Sequence, residues 1–365
     1  MRAAVLQAVG APLVIEELPT PRPKTDEVLV KVAACGVCHS DLHVAKGELK
    51  FPLPCVLGHE ISGVVEELGP GVTGFKRGDR VVSSFILPCG RCAPCSRGRD
   101  DLCETFFAMN RLKGTLYDGE SRLQRADGTP IAMYSMGGLA EYAVVPVTDV
   151  FPLPAGVPLA EGCILGCAIM TAYGAVKHQA EVRPGDTVAV VGAGGVGSNV
   201  VQLARLFGAA DVIAVDIRDD KLAEVQKLGA TKVVNGSKGD AVAQVQALTG
   251  GRGVDVAVEA LGRPETIQQA FMMTRDGGRT VVIGLGSGTA AASIEVTRLV
   301  RRSIRLTGSY GCRVRTDMPE IVGLAARGLI DVTKPVSRRY RLEECAEAYQ
   351  ALNRGEILGR AIVTM

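Results

Sequence analysis

Between Cys35 and Glu60 the chain reads CGVCHSDLH and then, after a short link, GHE. Cys38, His39, Ser40, Asp41, His43, His59 and Glu60 therefore fall within one compact stretch. Thiolate, imidazole and carboxylate are donors that Zn²⁺ takes, and a hydroxyl beside a further imidazole suits proton transfer next to a metal. Three of the chain's four histidines lie here. That concentration marks the stretch as a candidate active site.

Two further constellations carry chemistry. The first is CGRCAPCSRGRDDLC, with Cys89, Cys92, Cys95 and Cys103. Two successive CxxC steps and a fourth cysteine suit a tetrahedral Cys₄ zinc, closed to substrate and hence structural. Disulfides or unliganded thiols are the alternative. In the second, a buried strand, Thr187 to Val191, runs into Gly192, Gly194 and Gly197 as GxGxxG, and Ser198 to Phe207 follows as an amphipathic helix. The next strand, DVIAVD, ends in Asp216, the acidic position expected after such a loop. The glycines let the backbone approach a pyrophosphate, which the helix N-terminus attracts. Asp216 can accept from both ribose hydroxyls and would repel a 2′-phosphate, favouring NAD; Arg218 keeps NADP open.

The elements that position these groups need two domains, because 365 residues exceed what one core usually serves. A composition of 47% hydrophobic and 22% charged residues is that of an ordinary globular protein. A net charge of +2 argues against nucleic acid or an acidic membrane surface as partner. No sustained apolar run precedes Glu16 and Glu17, so no secretory leader is expected. The uncharged stretch Thr187 to Ala204 reads as a glycine-rich strand-to-helix turn, not a membrane span. A cytoplasmic location follows, and there eleven cysteines point to metal or catalysis before disulfides. Cys35, Cys55, Cys163, Cys312 and Cys345 read as small buried hydrophobes.

Residues 1 to 150 are short β segments broken by proline and glycine, the pattern of an antiparallel or barrel-like domain. Residues 104 to 137 form a polar excursion, with Leu112, Leu116, Tyr117 and Leu123 as anchors. From Thr187 to TVVIGLG, strands and helices alternate as in a doubly wound parallel sheet. After Gly308 come two helices, PEIVGLAARGL and LEECAEAYQALNRG, and a terminal strand, GRAIVTM. This tail is too short for its own core and should return to the first domain.

With these motifs in place, the chain resembles the zinc-containing medium-chain alcohol dehydrogenases nearly end to end. GHEISGVVEELGPGVTGFKRGDRV looks like the family's zinc-site signature, and the cysteine lobe, GAGGVG and the terminal GRAIV keep its order and spacing. The resemblance implies an α/β protein: a GroES-like, β-barrel-type catalytic domain over 1–167 and 310–365, with an inserted Rossmann domain over 168–309. It implies two zinc ions per chain and NAD. Cys38, His59 and Cys167 would hold the catalytic zinc; Cys167, in ILGCAIMTAYG, is assigned by the resemblance alone. Glu60 would stand behind the metal as an occasional ligand, and Asp41 would fix the His59 tautomer. Both could instead be surface charges.

Ser40 and His43 match the family's proton relay through the nicotinamide ribose, with simple packing or capping the alternative for His43. His39 and Arg360 match cations near the pyrophosphate, and Gly195 and Val196 complete the glycine loop. Lys221 matches a lysine near the adenosine ribose, or is a solvated helix charge. Leu49, Phe85 and Met133 would line an apolar substrate pocket. The implied reaction interconverts an alcohol and an aldehyde or ketone by hydride transfer to NAD.

The long excursion, with GTLYDGESRL, is similar to the dimeric branch, so a homodimer is expected, with a homotetramer as the alternative. Phe107 stands where glutathione-dependent formaldehyde dehydrogenases carry arginine, against that specificity. Arg298, Arg301, Arg302, Arg305, Arg313 and Arg315 raise a second reading, a hydroxyacyl-CoA or cyclic alcohol as substrate; a solvated or subunit-facing basic surface is the plainer one. A third reading is a non-catalytic dinucleotide-binding relative. It predicts lost ligands, whereas Cys38, His59 and Cys167 are all present.

Overall fold

Alternating and β-branched residues in EVLVKVAACGV make Glu27–Val37 the longest strand, and it organises the catalytic part of the chain. It pairs antiparallel with Ile61–Leu68, Tyr142–Pro146 and the terminal strand Arg360–Thr364. Ala361 lies opposite Val37, so Arg360 and Cys38 emerge at adjoining strand ends. The computed structural model describes residues 1–286 and 288–365, which divide into two units. One comprises Met1–Met170 and Arg313–Met365; the other is Thr171–Cys312.

In the first unit, the sheet built on Glu27–Val37 continues through Arg80–Ser83 to Phe151–Pro152 on one side. On the other it ends at Val336–Arg341 beyond the terminal strand. A second sheet orders Leu13–Glu17, Arg2–Leu6, Cys55–Val56, Pro130–Met133 and Leu123–Gln124. The strand Val336–Arg341 has no counterpart in the sequence reading. It is an edge strand with Ser337, Arg338 and Arg339 exposed, so it carries no apolar alternation to find. Within the excursion, Leu116 and Leu123 are buried as anchors, but Leu112 is 73% exposed. That expectation is corrected: Leu112 caps the end of the Phe106–Arg111 helical turn and points outward.

The second unit is an all-parallel six-stranded sheet with local order 3-2-1-4-5-6, the doubly wound dinucleotide arrangement. Its central strand, Thr187–Val191, lies between Asp211–Asp216 and Val254–Glu259. Ala189, Val191, Ile213, Val215, Val245, Ala257 and Met273 contribute to the core that helices pack over the sheet. Near-continuous apolar strands are what a sheet covered on both faces requires. No helix among the described residues is long and apolar enough to cross a membrane.

Two glycines fix the strand-to-helix turn. Gly192 has φ +100°, and a Cβ on Gly197 would sit 1.8 Å from the Gly192 carbonyl oxygen. Gly194 has open space around it and a negative φ. Gly197→Ala should therefore cost about 1–3 kcal/mol through forced overpacking. Gly194→Ala should cost clearly less. Thermal unfolding of the two variants checks the contrast.

Candidate active site

The Glu27–Val37 strand delivers Cys38, which caps a short helix, His39–Ala45. Helical spacing sorts its side chains. Asp41, Leu42 and Val44 are buried; Ser40 and His43, three apart and on one face, are half-buried; His39 is exposed. Asp41 points into the protein and accepts from Gly58 N at 3.0 Å, His59 Nδ1 at 3.0 Å and Tyr349 Oη at 2.8 Å. The His59 proton is thereby committed to Nδ1, leaving Nε2 as the lone-pair donor.

The structure brings Cys38, His59 and Cys167 together, their donor atoms all within 4.8 Å of one another and all three residues buried. The two sulfurs are 4.0 Å apart. Tetrahedral zinc with bonds of about 2.3 Å would hold two thiolates roughly 3.8 Å apart, so the set fits that ion and leaves one vertex open. Cys167 arrives on the turn after Glu161–Gly166. There Gly166 packs onto the Ser83 carbonyl too closely for any Cβ, and its own carbonyl accepts from Phe85 N at 2.9 Å. Ser40 Oγ lies 3.8 Å from Cys38 Sγ, beside the cluster.

The cluster's electrostatics favour a cation. Burial opposes charge on His59, yet Asp41 and Cys38 push its pKa up to about 10. Cys38 is pulled well below the usual thiol range, first by Cys167 and against burial, with Arg360 and His59 adding. Behind the sulfurs, Arg360 pairs with Glu60 at 2.8 Å and approaches Cys167 Sγ at 3.5 Å. Glu60 also accepts from Ala168 N at 3.1 Å, and its burial pushes the carboxyl up to about 7 against the pull of Arg360. The resemblance sets Arg360 near a pyrophosphate; here its guanidinium is committed to Glu60.

Cys89, Cys92, Cys95 and Cys103 form the second cluster, with sulfurs also within 4.8 Å. Amides of Cys89 and Phe106 donate to Cys103 Sγ, and that of Cys92 to Cys89 Sγ, at 3.3–3.4 Å. Such bonds stabilise thiolates, the form that binds metal. Arg315 fastens this lobe to the Val314–Ala326 helix through Asp100 at 2.9 Å and the Cys95 carbonyl at 2.6 Å. Arg298 donates to the Met272 and Thr274 carbonyls, Arg302 pairs with Asp276 and Arg305 with Glu181.

Two aromatic rings stand edge-on to His59: Phe85, with centroids 6.1 Å apart, and Tyr134, at 5.5 Å. The sequence reading names Phe85 and Met133 for a pocket and does not name Tyr134. Met133 is fully buried, and its sulfur accepts from Arg122 N, whereas Tyr134 meets His59. Arg111 stacks over the Tyr134 ring at 4.1 Å. Leu49 is half-buried after the helix, its amide on the His43 carbonyl.

In the second unit, the helix Gly195–Leu206 starts at the glycine loop with Gly194 as its cap. Asp216 accepts from Ala193 N at 2.8 Å and from Ile217 N and Arg218 N. Arg218 is bound to Asp220. Lys221 opens outward from the first turn of the Asp219–Lys227 helix, half-buried.

Tyr349 and Glu48 are further residues the motifs do not reveal. Tyr349 is 308 residues from Asp41, in the Cys345–Asn353 helix, so no local spacing could announce it. Tyr349→Phe should destabilise the protein by about 1–3 kcal/mol, because a buried carboxylate loses a donor. Chemical denaturation measures it, and a change within error would mean that Asp41 does not depend on this hydroxyl.

Comparison with known proteins accords with this geometry. Residues 24–155 match the family model of the alcohol dehydrogenase GroES-like domain, and residues 195–327 that of zinc-binding dehydrogenases. An NDMA-dependent alcohol dehydrogenase of Amycolatopsis methanolica is 37% identical, over 97% of this chain and 96% of its own. An alcohol dehydrogenase zinc-binding domain protein from Burkholderia ambifaria has a TM-score of 0.93 at 36% identity, covering 100% of this chain and 98% of that one. Benzyl alcohol dehydrogenase of Acinetobacter calcoaceticus gives 0.92 at 32%, covering 100% and 99%. Similarity of this degree over whole chains settles the kinship: the chain belongs to the zinc-containing medium-chain alcohol dehydrogenase family and is an alcohol dehydrogenase.

Proposed function

We propose that the enzyme works with zinc at Cys38, His59 and Cys167 and with NAD at the glycine loop. The observation that carries this is a buried Cys₂His set with one vertex open, next to a hydroxyl and an imidazole on one helical face. It is the donor set of an alcohol dehydrogenase zinc. When bound, the metal supplies a Lewis acid that makes an alcohol more acidic, and the nicotinamide supplies the hydride acceptor.

The chain's own groups do the rest. Asp41 holds His59 in one tautomer and orientation. Ser40 accepts the alcohol's proton as it gives up its own, which His43, one turn along, passes towards solvent. Glu60 and Arg360 balance charge behind the sulfurs; for Arg360 to reach a pyrophosphate it would first have to leave Glu60, and His39 is the exposed cation at the same helix. Asp216 would receive the ribose hydroxyls of NAD, with Lys221 near them. A 2′-phosphate would meet Asp216, and Asp220 already engages Arg218. The four-cysteine lobe takes a second, structural zinc.

Phe85, Tyr134 and Leu49 favour an apolar or aromatic alcohol, in keeping with the benzyl alcohol dehydrogenase among the relatives. Partners found for Arg298, Arg302, Arg305 and Arg315 weaken the hydroxyacyl-CoA reading. No disulfide links the eleven cysteines among the described residues, which suits a reducing cytoplasm. The long excursion supports a homodimer.

NADH formation over short aliphatic, benzylic, cyclic and CoA-linked alcohols, with NADP alongside, tests the substrate class. Turnover on simple or benzylic alcohols with NAD is expected; silence on these from a zinc-loaded sample would refute it. Cys38→Ser should drop zinc content from two ions to one and turnover by more than about 100-fold, since losing a group behind a ligand already costs ~10–100-fold. A non-catalytic dinucleotide-binding protein would keep its function in that variant.

A further inference from the structure

The turn that follows the His39–Ala45 helix builds a contact that the relay motif does not contain. His43 Nδ1 and the Glu48 carboxylate are hydrogen-bonded, and among the described residues this is the one side-chain partner of His43. The backbone delivers it. Amides of Glu48 and Leu49 both donate to the His43 carbonyl, at 2.8 and 3.1 Å. Gly47 makes this reversal with φ +74°, and a Cβ there would press on Val9 at 2.7 Å. Glu48 is thus carried to the imidazole by a turn closed on His43 itself.

Few other charges surround the pair. Lys46, which caps the helix, sends Nζ to Asn353 Oδ1 at 2.6 Å. Asp41, on the same helix, faces inward to Gly58, His59 and Tyr349. The hydrogen bond from His43 holds the Glu48 carboxyl below the usual range, against slight burial and with help from Lys46.

We propose that Glu48 is a positioning residue for the proton path: it holds His43 as the Nδ1–H tautomer and balances the imidazolium. The proposal rests on the reading of Ser40 and His43 as that path. An ionised carboxylate only accepts, so the ring nitrogen facing it must carry a proton, and Nε2 keeps its lone pair. The proton relayed through Ser40 adds to Nε2; the imidazolium then releases it from there to water. Glu48 stays ionised throughout, as the carboxylate behind a catalytic histidine does in hydrolase triads.

The test uses the full zinc-loaded chain labelled with ¹⁵N-histidine, whose four imidazoles are resolvable, with His43→Gln identifying the His43 signals. At alkaline pH His43 should show the Nδ1–H form, and Glu48→Ala should move it towards the Nε2–H form that a free histidine side chain prefers. An unchanged tautomer would overturn the proposal. In steady state, Glu48→Ala should lower kcat about tenfold with KM little altered, a fraction of the ~10²–10⁴ that a positioned acid–base group supplies. Glu48→Gln, still able to accept from Nδ1–H, should restore the tautomer and part of kcat.

Combined with His43→Gln, the losses should not multiply. Multiplicative losses would show Glu48 acting through the fold, and would also overturn the proposal. If His43→Gln itself left turnover intact, the proton path would fail and with it Glu48's part in turnover, while the tautomer would still report the contact on its own.

Discussion

The site depends on one buried carboxylate. Removing Asp41 from water costs several kcal/mol unless donors surround it, and they come from three segments: the Gly58 amide, the His59 ring and the Tyr349 hydroxyl. Each donor is positioned by the same act that satisfies the charge. The loop before the GHE motif is drawn to the helix, His59 is turned to offer Nε2, and the Cys345–Asn353 helix is docked beneath both. The geometry of the Cys38, His59 and Cys167 cluster is therefore coupled to the return of the C-terminal segment. A catalytic unit made from residues 1–170 alone would leave Asp41 without one of its three donors.

Glu60 and Arg360 make the second such tie. The terminal strand pairs with Glu27–Val37 so that Arg360 falls next to Cys38, and its guanidinium reaches both Glu60 and Cys167. Space for the carboxylate comes from Gly36, where any Cβ would overlap the Glu60 side chain. Gly58 has φ +91°, and a Cβ there would press on the Leu139 amide and Cys35 sulfur. The glycines in CG and GHE are thus part of the site, since they let two strands and a loop close around buried charges.

What was legible in the sequence follows from distance along the chain. Cys38, His59, the four lobe cysteines and the glycine loop lie in short motifs whose spacing is set by local geometry, and the alternation of strands and helices announces the parallel sheet. Cys167 stands 129 residues from Cys38 and carries no local mark, so only kinship supplied it. Tyr349 is farther still. Tyr134 carries no motif either, and its edge-on contact with His59 emerges only once the chain is folded. Leu112 misled because hydrophobicity within a helical turn does not say which side meets solvent, and Val336–Arg341 was hidden by its arginines.

A helix of seven residues cannot hold its own shape in water, since nucleation is unfavourable and so few hydrogen bonds follow it. The His39–Ala45 helix must therefore take its orientation from outside, and the attachments divide it into two faces. Inward, Asp41 anchors it to His59. At its start, Cys38 is one of the clustered donors; at its end, the Gly47 turn folds Glu48 back onto His43. The outward face then holds Ser40 and His43 at a fixed separation, rigid because the inward face is clamped. Substitution on the buried side should accordingly disturb the proposed proton transfer without touching Ser40 or His43, and the helix acts as one part with the Cys38, His59 and Cys167 cluster.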